Sequence, residues 1–384
     1  MNFWKKEKPS AAVQAVQTVG NRGEFSPGWG LCRCTELCGA EHKLYAALRD
    51  NIPVIDAAIG KIQRLVGTFQ VECVEKEAQE RLAHFLETVQ VNAGQQGIQS
   101  FLGCYLEQLL LFGTAVGEMV PAADAMEIAA LYNARLDGLE VKEGKSPLEA
   151  VVCRREPGHS EPVKYPELIL YSVLNPEPGK VCGTSLLRGL PFVSGILMRI
   201  YQTIGINWER VGNVRFAVTY KPAGDSDRAY AKERAQQIAK EWGRAMQPGA
   251  GVSDFVSVGD VNVKVIGADN QVLDSNVPVR QMLEQIVAKL GIPPFLLGLS
   301  WSTTERMSVQ QTDILTSELE SYRSVLNPAI AKICSLWLRM HGFNDGCRIE
   351  WENINLQDEL DLAQARLTNA QAAKLEQELE IGGA

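Results

Sequence analysis

The chain has 384 residues, enough for about two or three domains at roughly 100–200 residues each. Its 46% hydrophobic and 22% charged content supports packed cores and excludes global disorder and collagen-like architecture. With 38 Lys and Arg against 46 Asp and Glu, the net charge of −8 argues against a tight, sequence-reading DNA binder, which carries a basic surplus; a protein that touches DNA without holding it remains compatible.

The opening MNFWKKEKPS has lysines but no apolar run behind them, so no targeting signal is read there. The most apolar stretch, 109–116, is shorter than the ~20 residues of a membrane span, and Glu107 and Glu118 flank it. A soluble protein with no membrane partner is expected. Nine scattered cysteines predict thiols kept reduced in a cytosol, not a disulfide scaffold. Cys32, Cys34 and Cys38 form one cluster, with His42 close behind. CxCxxxC lacks the paired spacing of a zinc site, which leaves a metal site as the weaker alternative to incidental loop cysteines. Nucleophile-elbow, P-loop, dinucleotide and HExxH patterns are all missing. No catalytic residue, cofactor or metal is expected.

Residues 1–40, rich in Gly, Pro, Ser, Gln and Cys, read as an N-terminal arm. From His42 the pattern turns helical through Leu44, Leu48, Ile55, Ile59, Ile62 and Leu65, split at Pro53. Thr68–Val74 reads as a strand with Phe69, Val71 and Cys73 on one face. Two amphipathic helices follow, one bearing Ala78, Leu82, Phe85 and Val89, the next Ile98, Leu102, Tyr105, Leu109 and Phe112, ended by Gly113. Short strands are predicted over 115–120, 126–132, 150–154 and 168–173, which together with the helices suggests an α+β domain over 41–182.

Ser185 reads as the N-cap of a long helix through Leu186, Leu190, Val193, Leu197, Ile200, Ile204, Trp208 and Val211, kinked or restarted at Pro191. Trp208, like Trp242 further on, is read as core in preference to interface. Val214, Phe216, Val218 and Tyr220 alternate as a strand, Asp227 caps a helix, and 255–258 with 261–266 form a hairpin around Gly259-Asp260. Residues 214–276 are thus a small inserted β-α-β-β module. A helix through Val279, Leu283, Ile286 and Leu290 stops at Gly291 and Pro293-Pro294. Residues 298–307 read as a loop, and the longest helical pattern follows, with a kink expected at Pro328. Cys347–Trp351 is a predicted strand, and 356–380 a predicted acidic helix.

Three stretches carry a resemblance: LGIPPFLLG at 290–298, followed by Ser300–Thr304 and the helix with Asn327-Pro328; GTSLL at 183–187; and LFGTA at 111–115. In this order they resemble the portal proteins of tailed bacteriophages, over about 41–355. The resemblance implies an α+β portal fold with a mixed wing (41–182), a first stem helix (183–213), a small clip (214–276), a second stem helix (277–297), a channel loop (298–307), a long kinked helix with a returning wing strand (308–355) and a short crown-like helix (356–384). It also implies a ring, usually of twelve copies, at one capsid vertex, through which double-stranded viral DNA passes during packaging and ejection. The expected partners are the terminase large subunit at the clip, a head-tail adaptor and the major capsid protein or scaffold. The protein would be made in the bacterial host cytoplasm and end in the virion. Alternatives are another head-tail connector or head-completion protein, or a soluble cysteine-dependent enzyme.

The residues expected to matter follow from those segments. Leu299, Ser300, Trp301, Ser302, Thr303, Thr304 and Arg306 would line the channel, with Gly298 giving the loop flexibility. Trp301 is read as an anchor for the loop, and Arg306 as either a phosphate contact or a partner of Glu305 or Asp313. Leu197, Ile200, Ile204, Leu283 and Ile286 would be buried mainly between subunits. Lys232, Arg234, Lys240 and Arg244 would face the terminase, or simply solvent.

Overall fold

A computed structural model describes residues 17–18, 35–36, 40–124, 126–146, 148–156, 158–212, 215–222, 228–245, 260–266, 275–299 and 305–354. The chain divides into two units, residues 1–194 with 283–384, and residues 195–282. Cys32, Cys34, Cys38, the strand expected over 255–258 and the helix expected over 356–380 lie outside the described residues.

The first unit begins with β1 (Thr35–Glu36), then α1 (Ala40–Asn51) and α2 (Pro53–Leu65). Pro53 takes the first turn of α2, where a missing N–H costs no hydrogen bond. β2 (Phe69–Cys73) alternates buried and exposed residues, as its period of two requires. α3 (Lys76–Thr88), β3 (Gln90–Val91) and β4 (Gln95–Gln96) lead to α4 (Ile98–Phe112). α4 buries Phe101, Tyr105 and Leu109 on one face and Leu110 and Leu111 beyond it, so neighbours cover it on several sides. Gly113, at φ 74°, ends it in the left-handed conformation.

β5 (Thr114–Pro121), β6 (Ile128–Asn133), β7 (Leu139–Glu143), β8 (Ala150–Glu156), β9 (His159–Pro162) and β10 (Ile169–Val173) build two sheets. One has the order β10-β5-β6-β3-β4, the other β1-β7-β8-β9. Only the β3–β6 pair is parallel among the described strands. β5 is buried on both faces. Phe101 and Tyr105 of α4 press on Gly117, where a Cβ would sit 2.6 Å from the Phe101 ring. Val116 faces the other way, into a cluster with Leu139, Val141, Val152 and Ile169.

α8 (Glu305–Met340), numbered after the helices below, runs unbroken through Pro328, and β13 (Cys347–Trp351) then pairs antiparallel with β2. Trp337 of α8 stacks on Phe85 of α3 at 5.5 Å. Arg323 of α8 is 3% exposed, and its guanidinium lies 5.0 Å from the Trp351 ring.

Around the second unit lie α5 (Leu190–Gly212), β11 (Arg215–Lys221), α6 (Ala231–Ala245), β12 (Asp260–Ile266) and α7 (Asn276–Leu290). β11 and β12 pair antiparallel from Arg215↔Ile266 to Lys221↔Asp260. The long helix begins at Leu190, not after Ser185. After turns at 186–189 the helix starts with Pro191 in its first turn, where proline is tolerated, so of the two readings of Pro191 the restart holds and not the kink.

Candidate subunit interface and channel segment

Two of the three family-like stretches meet backbone to backbone. The carbonyl of Gly113 accepts from Leu174 N at 2.7 Å, the carbonyl of Leu174 accepts from Thr184 N at 2.7 Å, and Leu186 N donates to Leu110 O at 3.0 Å. Gly183 N donates to Thr114 Oγ1 at 3.1 Å. A Cβ on Gly183 would fall 2.0 Å from the Gly113 oxygen, and one on Gly113 2.5 Å from the Thr184 backbone. Only glycine permits that approach. Ser185 donates to Leu111 O at 2.6 Å and accepts from Leu187 N at 3.0 Å. Its hydroxyl therefore closes the junction and a local turn, which is why it is not the cap of α5.

α5 carries one apolar stripe at three- and four-residue steps: Leu190, Ser194, Leu197, Tyr201, Ile204 and Trp208. The first three are buried, but Tyr201 is 45% and Trp208 63% exposed, with Met198 and Ile206 also exposed. α7 shows the converse order. Val277 at its start is 59% exposed, Leu283 is half-buried, and Ile286, Val287 and Leu290 at its end are buried. This corrects two expectations. Leu197 and Ile286 are already buried within a single chain, so they are not free for a subunit contact. Trp208 is a surface residue, not core. Ile200, Ile204 and Leu283 are half-buried.

The LGIPPFLLG stretch is tightly shaped. Gly291, at φ 67°, ends α7, and Ile292 and Pro293 are buried. A 3-10 turn at Pro294–Leu297 follows, and Leu299 N donates back to Pro294 O at 3.0 Å. Gly298, at φ 74°, closes this turn as a left-handed cap; it sets the exit of the chain instead of loosening it. Leu299 is half-buried. Ser300, Trp301, Ser302, Thr303 and Thr304, and the side chain of Arg306, lie outside the described residues. On α6, Lys232, Arg234 and Lys240 are exposed, and the Arg244 side chain lies outside the described residues. Along that helix only Ala231 and Ile238 are half-buried among the described side chains, as a solvated helix requires.

Several polar anchors carry no sequence pattern. Glu118 on β5 is 2% exposed, and its carboxylate accepts from Gln17 N at 3.0 Å, Thr18 N at 3.1 Å and Thr18 Oγ1 at 2.8 Å. The N-terminal arm thus pins two residues into the first unit. Lys332 of α8 lines a cavity of about 270 Å³ with Val152, Tyr171 and Pro328, and donates to Ile169 O at 2.6 Å. Burial holds its ammonium below the usual lysine range. Burial likewise pushes the Tyr105 phenol up, although it donates to Ser172 Oγ at 3.0 Å.

No family model matches the chain, and no curated protein does. Solved structures do. A chain from the neck of an empty gene transfer agent (GTA) particle, computed with C6 symmetry, matches at TM-score 0.67 and 16% identity, over 89% of this chain and 91% of that one. The two chains share a fold. A chain from the native particle's neck, computed with C12 symmetry, matches at TM-score 0.64 and 16% identity over the same shares. The HK97-family phage portal protein of Corynebacterium diphtheriae is a more distant match, at TM-score 0.41 and 13% identity over 80% of this chain and 94% of that one. At these identities the likeness to the neck chains is one of fold.

Proposed function

We propose that this chain is a portal-type subunit, which assembles with copies of itself into a ring at the neck of a phage-like particle and forms the channel that DNA crosses. The observation that carries this reading is the fold shared with a GTA neck chain across nine-tenths of both molecules. The symmetry of those neck structures supports a closed ring, with twelve copies as the proposed number. The exposed apolar halves of α5 and α7 supply surface for neighbouring copies to cover, chiefly through Tyr201, Trp208 and Val277. A net charge of −8 suits a wall that a polyanion slides past, since neutralised phosphates would hold it.

In this reading 299–306 faces the channel, α6 meets the terminase, and a head-tail adaptor and capsid or scaffold protein contact the outer surfaces. The protein works by shape and assembly, with no catalytic step. Electron microscopy of the purified full-length protein tests it. Rings with a central hole are expected, together with duplex DNA affinity weaker than micromolar at physiological salt. A compact monomer at every protein concentration would overturn the proposal.

A further inference from the structure

Cys347 opens β13 and stands directly opposite Cys73 of β2. Glu352 N donates to Thr68 O at 3.0 Å, so that pair is a hydrogen-bonded one. Counting along the antiparallel register, Glu350–Gln70 and Arg348–Glu72 are bonded pairs, and Cys347–Cys73 is a non-bonded pair. Residues in such pairs lie about 4.5 Å apart at Cα with side chains on one face. That lies within the ~4.4–6.8 Å a disulfide spans.

A third thiol completes the group. Cys334 of α8 is fully buried, and its thiol is electrostatically linked to that of Cys347. The interaction with Cys334 holds the Cys347 thiol below its usual range, and the same interaction, with burial, pushes Cys334 up. Burial raises Cys73. Cys347 and Cys73 are half-buried, beside exposed Gly346 and Val74. Cys347 is taken as the nucleophile because it is half-buried at a strand end that a small reagent reaches, whereas Cys334 is fully buried.

We propose that Cys73 and Cys347 form a thiol–disulfide switch, closed by exchange with a low-molecular-weight disulfide such as oxidised glutathione. The Cys347 thiolate attacks one glutathione sulfur, forms a mixed disulfide and expels a glutathione thiolate, which takes a proton. Cys73 gives its proton to solvent and attacks the Cys347 sulfur, forming the protein disulfide and expelling the second glutathione. Two protein thiols are oxidised, and one glutathione disulfide is reduced to two thiols. The new bond ties the strand after α8 to the strand after α2, so it acts on a pairing that spans most of the chain. This inference does not depend on the proposed function.

The test uses the full chain, oxidised glutathione and peptide mapping by mass spectrometry without reduction. The expected result is a Cys73–Cys347 peptide, loss of two titratable thiols, and a melting temperature raised by roughly 5–10 °C that a reductant reverses. Cys73→Ser and Cys347→Ser should each abolish the crosslink and the shift. A Cys334–Cys347 peptide, a stable glutathione adduct on Cys347, or no loss of thiols would overturn the switch.

Discussion

Arg323 of α8 donates two hydrogen bonds to the carbonyl oxygen of Val66, from Nε at 2.9 Å and Nη2 at 2.7 Å. Val66 is the C-terminal cap of α2, where carbonyls have no partner in their own helix. A cation at that end also meets the negative pole of the helix dipole. Glu320, one turn earlier on α8, accepts from Nη1 at 2.9 Å, and Trp351 covers the guanidinium face. One side chain so joins α2, α8 and β13. Arg323→Met should lower the stability of the folded chain by about 3 kcal/mol, because it leaves a buried carbonyl without a donor. Arg323→Lys keeps the charge but not the fork, and should recover only part of that loss. Denaturant titration of both variants checks the order.

Gly183→Ala should prevent folding, since its Cβ would lie 2.0 Å from one carbonyl oxygen and 2.4 Å from another. Gly103→Ala in α4 is the control. A Cβ there meets nothing within 4 Å, and alanine should stabilise the helix by about 0.5–1 kcal/mol. Soluble expression and thermal melting separate the two outcomes.

Glu118→Ala removes the acceptor for the Gln17 and Thr18 amides. Hydrogen bonds to a charged acceptor are worth about 1.5–3 kcal/mol, so exchange at those amides should speed up by about ten- to a hundredfold. Hydrogen–deuterium exchange read at residues 17 and 18 decides it, with α4 amides unchanged.

Tyr201→Asp and Trp208→Asp place charges on exposed positions of α5, so the single chain should melt as before while rings fail to form. Leu197→Asp buries a charge within the chain and should lower the melting temperature itself. Size-exclusion chromatography beside calorimetry reads both. Rings formed normally by the Tyr201 and Trp208 variants would remove α5 from the interface.

The helices with clean periodicity, α2 through α4, were legible from residue spacing, and so was β2, whose Phe69, Val71 and Cys73 share one face. The spacing of the α5 stripe was legible too, but not its fate. A step of three or four residues says that a face is apolar and is silent on whether the same chain or another covers it. Hence Leu197 and Trp208 looked alike and proved opposite. β3, β4 and β9 are too short to show alternation, and β9 reads HSEP, with no apolar residue but proline. Arg323 and Glu118 are single charges on apolar elements, and nothing local marks the carbonyl or amides they serve. The Cys73, Cys334 and Cys347 group was hidden for the same reason: three distant positions become neighbours only through a ladder and a helix.

The pairing of β2 with β13 also sets a schedule for synthesis. Phe69 leaves the ribosome long before Trp351, its partner in the ladder. At about 5–20 residues per second the delay is roughly 15–55 s. Through that interval Phe69 and Val71 have no strand beside them of the kind the finished chain provides, and such unpaired edges invite association with other nascent chains. Completion of the first unit is therefore tied to completion of the polypeptide. A chain stopped short of residue 347 lacks its closing strand, so an unfinished chain is marked by its own exposed edge.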